Sequence, residues 1–116
     1  MSKVQINTLL QTEKDQIKKR CKGVLIENKL SYLEDDILVT IEKKDNHLIL
    51  KRKDKEKELI FLFDNKKSKL TIKTEDGSFF VDFITKKQIW KNQKIEIQYQ
   101  IEENIHFFVE WRNLND

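Results

Sequence analysis

The stretch KLSYLEDDILVTIEKKDNHLILKR, residues 29–52, decides the fold. Its apolar residues recur at every second position, as they do on one face of a half-buried strand. Leu30 and Tyr32 lead to Glu34 on one such stripe, and Leu48 and Leu50 lead to Arg52 on another. Between them, Asp35-Asp36 and Asp45-Asn46 are short acidic turn signals of hairpin length. Folding the chain back at those turns pairs Tyr32 with Val39, Ile41 with Leu50 and Val39 with Arg52. Two charged residues are therefore expected on the same face as the apolar ones.

The same period extends outward in both directions, and no segment carries a helical stripe. About ten strands are expected, over residues 3–12, 15–27, 29–34, 37–44, 47–53, 58–64, 69–75, 78–86, 94–102 and 105–112. A turn at Asn28-Lys29 would pair Leu25 with Tyr32 and set Gly23 opposite Glu34. Asp76-Gly77 would pair Ile72 with Val81, and a loop over residues 102–104, with Asn104 left-handed, would pair Tyr99 with Phe107. Residues 86–94, with Ile89 and Trp90, are left as a loop. A long antiparallel sheet with one apolar face hides its edges by closing on itself. The expectation is an all-β up-and-down meander closed into a barrel, with an open two-sheet sandwich as the alternative.

Composition bounds the class. A chain of 116 residues with 38% hydrophobic and 37% charged residues suits one domain, spanning 1–116, with one modest core. It has no apolar run of membrane-spanning length and no leader-like start, and its single cysteine, Cys21, fits a reducing cytoplasm. Proline is absent and glycine occurs twice, the pattern of an AT-rich coding sequence. Lysine abundance has the same origin, so the net charge of +3 says little about nucleic acid.

Function is expected where the alternation is broken by charge. A guanidinium inside an apolar barrel needs a partner, because burying a lone charge costs several kcal/mol or more. Arg52 is expected to pair with Glu34, with the Tyr32 hydroxyl as a third member. With the inward Tyr99 they form the candidate ligand-binding set, serving either as a polar anchor for a small amphipathic ligand or as a structural clasp. Gly23 is the one gap in the inward row, relieving backbone crowding or admitting a ligand.

These residues carry a resemblance. The order Gly23, Tyr32-x-Glu34, Arg52, Gly77 leading to Thr85, and Ile97-x-Tyr99 resembles the YwiB-like family of small bacterial proteins of unknown function. The likeness covers roughly residues 3 to 112. It implies a calycin-type, lipocalin-like barrel, and it implies no reaction.

Catalysis finds little footing. Alternation puts Cys21 inside and His106 outside, so a nucleophile and base do not meet. Adjacent acids at Asp35-Asp36 and Glu102-Glu103 fit turn geometry better than metal ligation, so neither a metal nor any other cofactor is expected. The chain is read as a non-enzymatic binding module. The alternative is an RNA-associated module using the outward Lys18, Arg20 and Lys22. On the outer wall, Val24, Leu33 and Leu38 are expected in one row, and Ile49 beside Leu62, as the contact for a homodimer or protein partner.

Overall fold

The computed structural model describes residues 1–114, and its strands close as β1(Ser2–Gln11), β2(Gln16–Ile26), β3(Lys29–Glu34), β4(Ile37–Lys44), β5(His47–Lys53), β6(Lys57–Phe63), β7(Ser68–Thr74), β8(Gly77–Lys91), β9(Lys94–Ile101) and β10(Glu103–Asn113). Each strand pairs antiparallel with its neighbours in sequence, and β1 pairs with β10 to complete a barrel. The sheet is therefore closed, and the sandwich alternative is excluded. There is no helix among the described residues, hence none long and apolar enough to cross a membrane.

Side-chain parity follows the sequence. Val4, Ile6, Leu30, Tyr32, Val39, Ile41, Leu48, Leu50, Phe63, Ile95, Ile97, Val109 and Trp111 are all buried inside. The up-and-down path puts alternate turns at one end. The mouth carries those at residues 12–15, 35–36, 54–56, 75–76 and 102; the base carries the rest, with the start of β1 and the end of β10. At the mouth, Asp54 Oδ1 accepts the amides of Glu56 and Lys57, which lowers the Asp54 pKa and fixes that turn.

Three hairpin registers differ from expectation, all in the same sense. Leu25 pairs with Leu30 and Gly23 with Tyr32; Ile72 pairs with Phe79; Tyr99 pairs with Ile105 and Phe107 with Ile97. In each case the apex lies one residue earlier than the turn motif suggests, which shifts the pairing by two. Glu27 (φ 52°) and Glu102 (φ 64°) take the left-handed conformation in place of an asparagine, while Gly77 (φ 137°) stands after its turn rather than within it. A shift of two keeps every side chain on its face, so the apolar pattern cannot detect it.

The second correction concerns residues 86–94. They form no loop: β8 runs on to Lys91, and a bulge between Thr85 and Lys87 adds one residue to the strand. Before the bulge the odd residues Phe83 and Thr85 face inward; after it the even residues Gln88 and Trp90 do. Trp90 then meets Trp111 edge-on at 5.4 Å near the base. Beside the bulge, Ser68 and Thr85 share a buried hydroxyl contact of 2.6 Å, and Ser68 also bonds the Asp64 backbone.

Gly23 answers to crowding. A Cβ there would stand 2.4 Å from the Ser31 carbonyl oxygen and 2.5 Å from Ile6 Cδ1. The first of these is backbone held in the β2–β3 ladder and cannot move cheaply. Gly23→Ala is expected to cost roughly 1–3 kcal/mol by overpacking, read as a lower denaturant midpoint. An unchanged midpoint would show that the wall is slack there.

Candidate functional site

Unequal strand lengths make the mouth hollow. The β2–β3 ladder ends at Gly23–Tyr32, so residues 16–22 of β2 have no neighbour on that side, and the wall opens above the core. A cavity of about 370 Å³ lies within. Leu10, Ile17, Leu50, Leu59, Phe61, Phe63 and Phe107 supply its apolar lining, and Thr8, Lys19, Glu34, Arg52 and Tyr99 its polar groups. The barrel is thus filled at the base and open at the mouth.

Three of the four expected ligand residues, Glu34, Arg52 and Tyr99, line this cavity. The register that brings them together is Tyr32–Val39–Arg52 across three strands, with Glu34 one inward step beyond Tyr32. Arg52 Nη2 stands 3.6 Å from Glu34 Oε1, so the expected ion pair forms, but with both side chains partly solvated and at a distance too long for a good hydrogen bond. Such a contact leaves most of the five guanidinium donors free.

Tyr32 departs from the expected triad. Its hydroxyl is buried without a hydrogen-bond partner, and the residue is 2% exposed. Burial, and secondarily the Glu34 carboxylate, push its phenol well above the ordinary range. Tyr99 is pushed up to about 12, again chiefly by burial, with Arg52 opposing. Phe61, Phe63, Phe83 and Tyr99 pack at ring separations of 5.1–6.3 Å and form an aromatic wall beside the charged groups.

Lys19 and Ile17 are lining residues the sequence reading passed over. Alternation from Cys21 carries the signal, since residues 17, 19, 21 and 23 share a face. Lys19 Nζ pairs with Asp35 at 3.2 Å. Cys21 itself packs against the core, and burial followed by Glu34 raises its thiol pKa, the opposite of what a nucleophile needs. His106 lies on the other face of the wall, bonded to Glu96 at 2.6 Å and ring to ring with Phe108 at 3.9 Å.

The outer-wall residues divide into two groups. Leu33 and Leu38 are paired and exposed, whereas Val24 stands opposite Ser31 and not in their row. Ile49 and Leu62 do pair, both half-buried. Thr40 and Lys51 interrupt the surface between Val24 and Ile60.

The molecule belongs, by architecture, to the closed ten-stranded up-and-down antiparallel barrels, with a polar-rimmed cavity at one end. A crystal structure of the ywiB protein from Bacillus subtilis superposes on it with a TM-score of 0.64 over 96% of this chain and 89% of that one, at 13% sequence identity. At that identity the likeness is one of fold. No protein-family model and no curated protein sequence matches the chain.

The buried phenols set an alkaline limit. Both tyrosines keep their protons to higher pH folded than unfolded, so the folded state binds more protons above about pH 10. Their contribution is complete below that value and is lost as pH climbs toward the folded pKa. Tyr32→Phe removes an unpaired buried hydroxyl, so at neutral pH it should leave stability unchanged or raise it by about 1 kcal/mol. It should also soften the alkaline decline in melting temperature. A loss of several degrees at neutral pH would mean that the hydroxyl has a partner after all.

Proposed function

We propose that this chain is a non-enzymatic binding barrel of the YwiB-like, calycin-type kind, working in a reducing cytoplasm, whose mouth holds a small amphipathic ligand. The observation that carries the reading is the cavity itself: a wall of leucine, isoleucine and phenylalanine side chains facing a loosely paired guanidinium. Small-molecule sites are mostly apolar hollows with a few convergent polar groups, commonly 300–1,000 Å³, and about 370 Å³ lies at the small end. Lys19 and Arg52 bring two positive charges to the lining and Glu34 one negative, so the polar end of the ligand is an acceptor. Tyr99 lies between the charged rim and the aromatic wall, where it contacts the junction of the ligand's two parts. Tyr32 lies one inward step beneath Glu34, within the core and outside the cavity lining.

An RNA-associated module is the alternative reading, favoured by the exposed Lys18, Arg20 and Lys22 on one strand. In the same rows Glu110 stands two strands from Arg20 and Glu96 three strands from Lys18, which weakens a continuous basic track. Salt-sensitive retention of single-stranded RNA, with no probe in the mouth, would favour it.

The test uses anilinonaphthalene sulfonate fluorescence with dodecanoate as competitor. Wild-type protein should bind the dye with one site per barrel and release it to dodecanoate. Arg52→Met should weaken dodecanoate by about tenfold, equivalent to ~1.4 kcal/mol, and Ile17→Trp should block both molecules by filling the hollow. Dye binding that survives Ile17→Trp would place the site elsewhere and end the reading.

A further inference from the structure

A barrel closed by ten strands should have no free edge, yet at the mouth the first half of β8 is left with one, as β2 is beside β3. β8 pairs with β7 from Gly77 to Phe83, but its pairing with β9 begins only at Ile84. The first half of β8 is therefore bonded on one side alone. Its run from Gly77 to Asp82 is wholly exposed, with Phe79 57%, Phe80 61% and Val81 38% accessible, and Ile84 beyond it 62%. Asp82 is the one charged side chain on residues 77–84, where edges that resist pairing usually carry lysine, proline or a bulge.

The main chain fixes which groups are free. Thr74 and Gly77 flank a two-residue turn and so form a hydrogen-bonded pair; in an antiparallel ladder such pairs alternate. Ile72–Phe79 and Leu70–Val81 are then bonded pairs, and the N–H and C=O of Ser78, Phe80 and Asp82 point away from β7. Those groups recur at every second residue, the spacing another antiparallel strand requires.

We infer that the Gly77–Phe83 edge is a dimerisation surface, taken by the same edge of a second copy across a two-fold axis at Phe80. The edge is complementary to itself. With Phe80 opposite Phe80 and Ser78 opposite Asp82, the outward groups of both strands match, giving about six main-chain hydrogen bonds. Parity is kept as well: Phe79 meets Val81 on the inner face at two places, and the two Phe80 rings meet on the outer face. The charges fit too. Lys73 is paired with Ser78 within each protomer, so the Asp82 of one copy comes beside the Lys73 of the other. Lys69 Nζ, which lies 4.5 Å over the Phe80 ring, flanks the same spot. The inner row Arg52–Leu59–Ile72–Phe79 would continue onto the second protomer, bringing the dimer seam to the edge of the mouth.

The experiment is sedimentation equilibrium of the full chain from micromolar to sub-millimolar concentration, with Phe80→Lys and Leu33→Lys compared. Wild type and Leu33→Lys should dimerise, and Phe80→Lys should raise the dissociation constant at least about tenfold with an unchanged β-sheet spectrum. Hydrogen exchange on wild-type protein gives a second readout: protection of the Ser78, Phe80 and Asp82 amides should rise with concentration. A wild-type monomer throughout the range overturns the inference. So does dissociation by Leu33→Lys but not Phe80→Lys, which would put the interface on the outer wall, or exchange at those three amides that ignores concentration.

Discussion

The ladder between β1 and β10 is the constraint on which everything else in this molecule rests. Eight residue pairs, from Val4–Asn113 to Gln11–His106, join the first strand to the last and turn an open meander into a wall with an inside. Without it, Val4, Ile6, Val109 and Trp111 would lie on two raw edges instead of in the core. Closure also gives meaning to the inward charges. On an open sheet Arg52 and Glu34 would be rim residues facing water; inside a closed wall they share a small volume with phenylalanine rings. Every one of these pairs joins the two ends of the chain, so the loop-closure entropy is large and the ladder contributes nothing until the meander has formed.

How much of this was legible in the sequence depends on which symmetry a feature obeys. Facing obeys a period of two, and the inward assignments of Tyr32, Val39, Arg52, Ile97 and Val109 follow from it directly. Register within a face obeys no such rule. Three apices lie one residue early because Glu27, Glu75 and Glu102 lead the turns, and glutamate carries little turn preference of its own. With only two glycines in the chain, left-handed positions fall to Glu27, Asp35, Asp45, Asn92 and Glu102, whose composition resembles any charged surface. The bulge at Lys86 is harder still. It reverses parity in mid-strand, so the TKKQIW segment reads as broken alternation and hence as a loop, although it is continuous strand.

The candidate site was legible to the extent that charge stood out against an apolar stripe. Glu34 and Arg52 end such stripes, and the pair between them follows. Lys19 obeys the same alternation but lies in a run of lysines, QIKKRCK, where one more cation carries no contrast. The Tyr32 hydroxyl failed to join the pair for a geometric reason: Tyr32 sits deeper in the barrel than Glu34, and its ring leads into the core while the carboxylate leads to the mouth. A single inward step along a strand moves a side chain by roughly 7 Å, enough to separate a buried phenol from a half-solvated ion pair.

The hollow and the free edge have one cause. β3 has six residues and β8 fifteen, so the wall cannot be level at both ends. Where the β3 ladder stops short, β2 runs on paired to β1 alone and the core gives way to a cavity; where β8 starts early, it projects past β9 with its outward amides free. The two faults differ in what surrounds them. Around β2 the exposed side chains include Lys18, Arg20 and Lys22, and charge of that kind repels an added strand. Around β8 they are Phe79, Phe80 and Val81, which favour one. The same strand-length mismatch thus yields a polar opening on one side and an exposed apolar edge on the other.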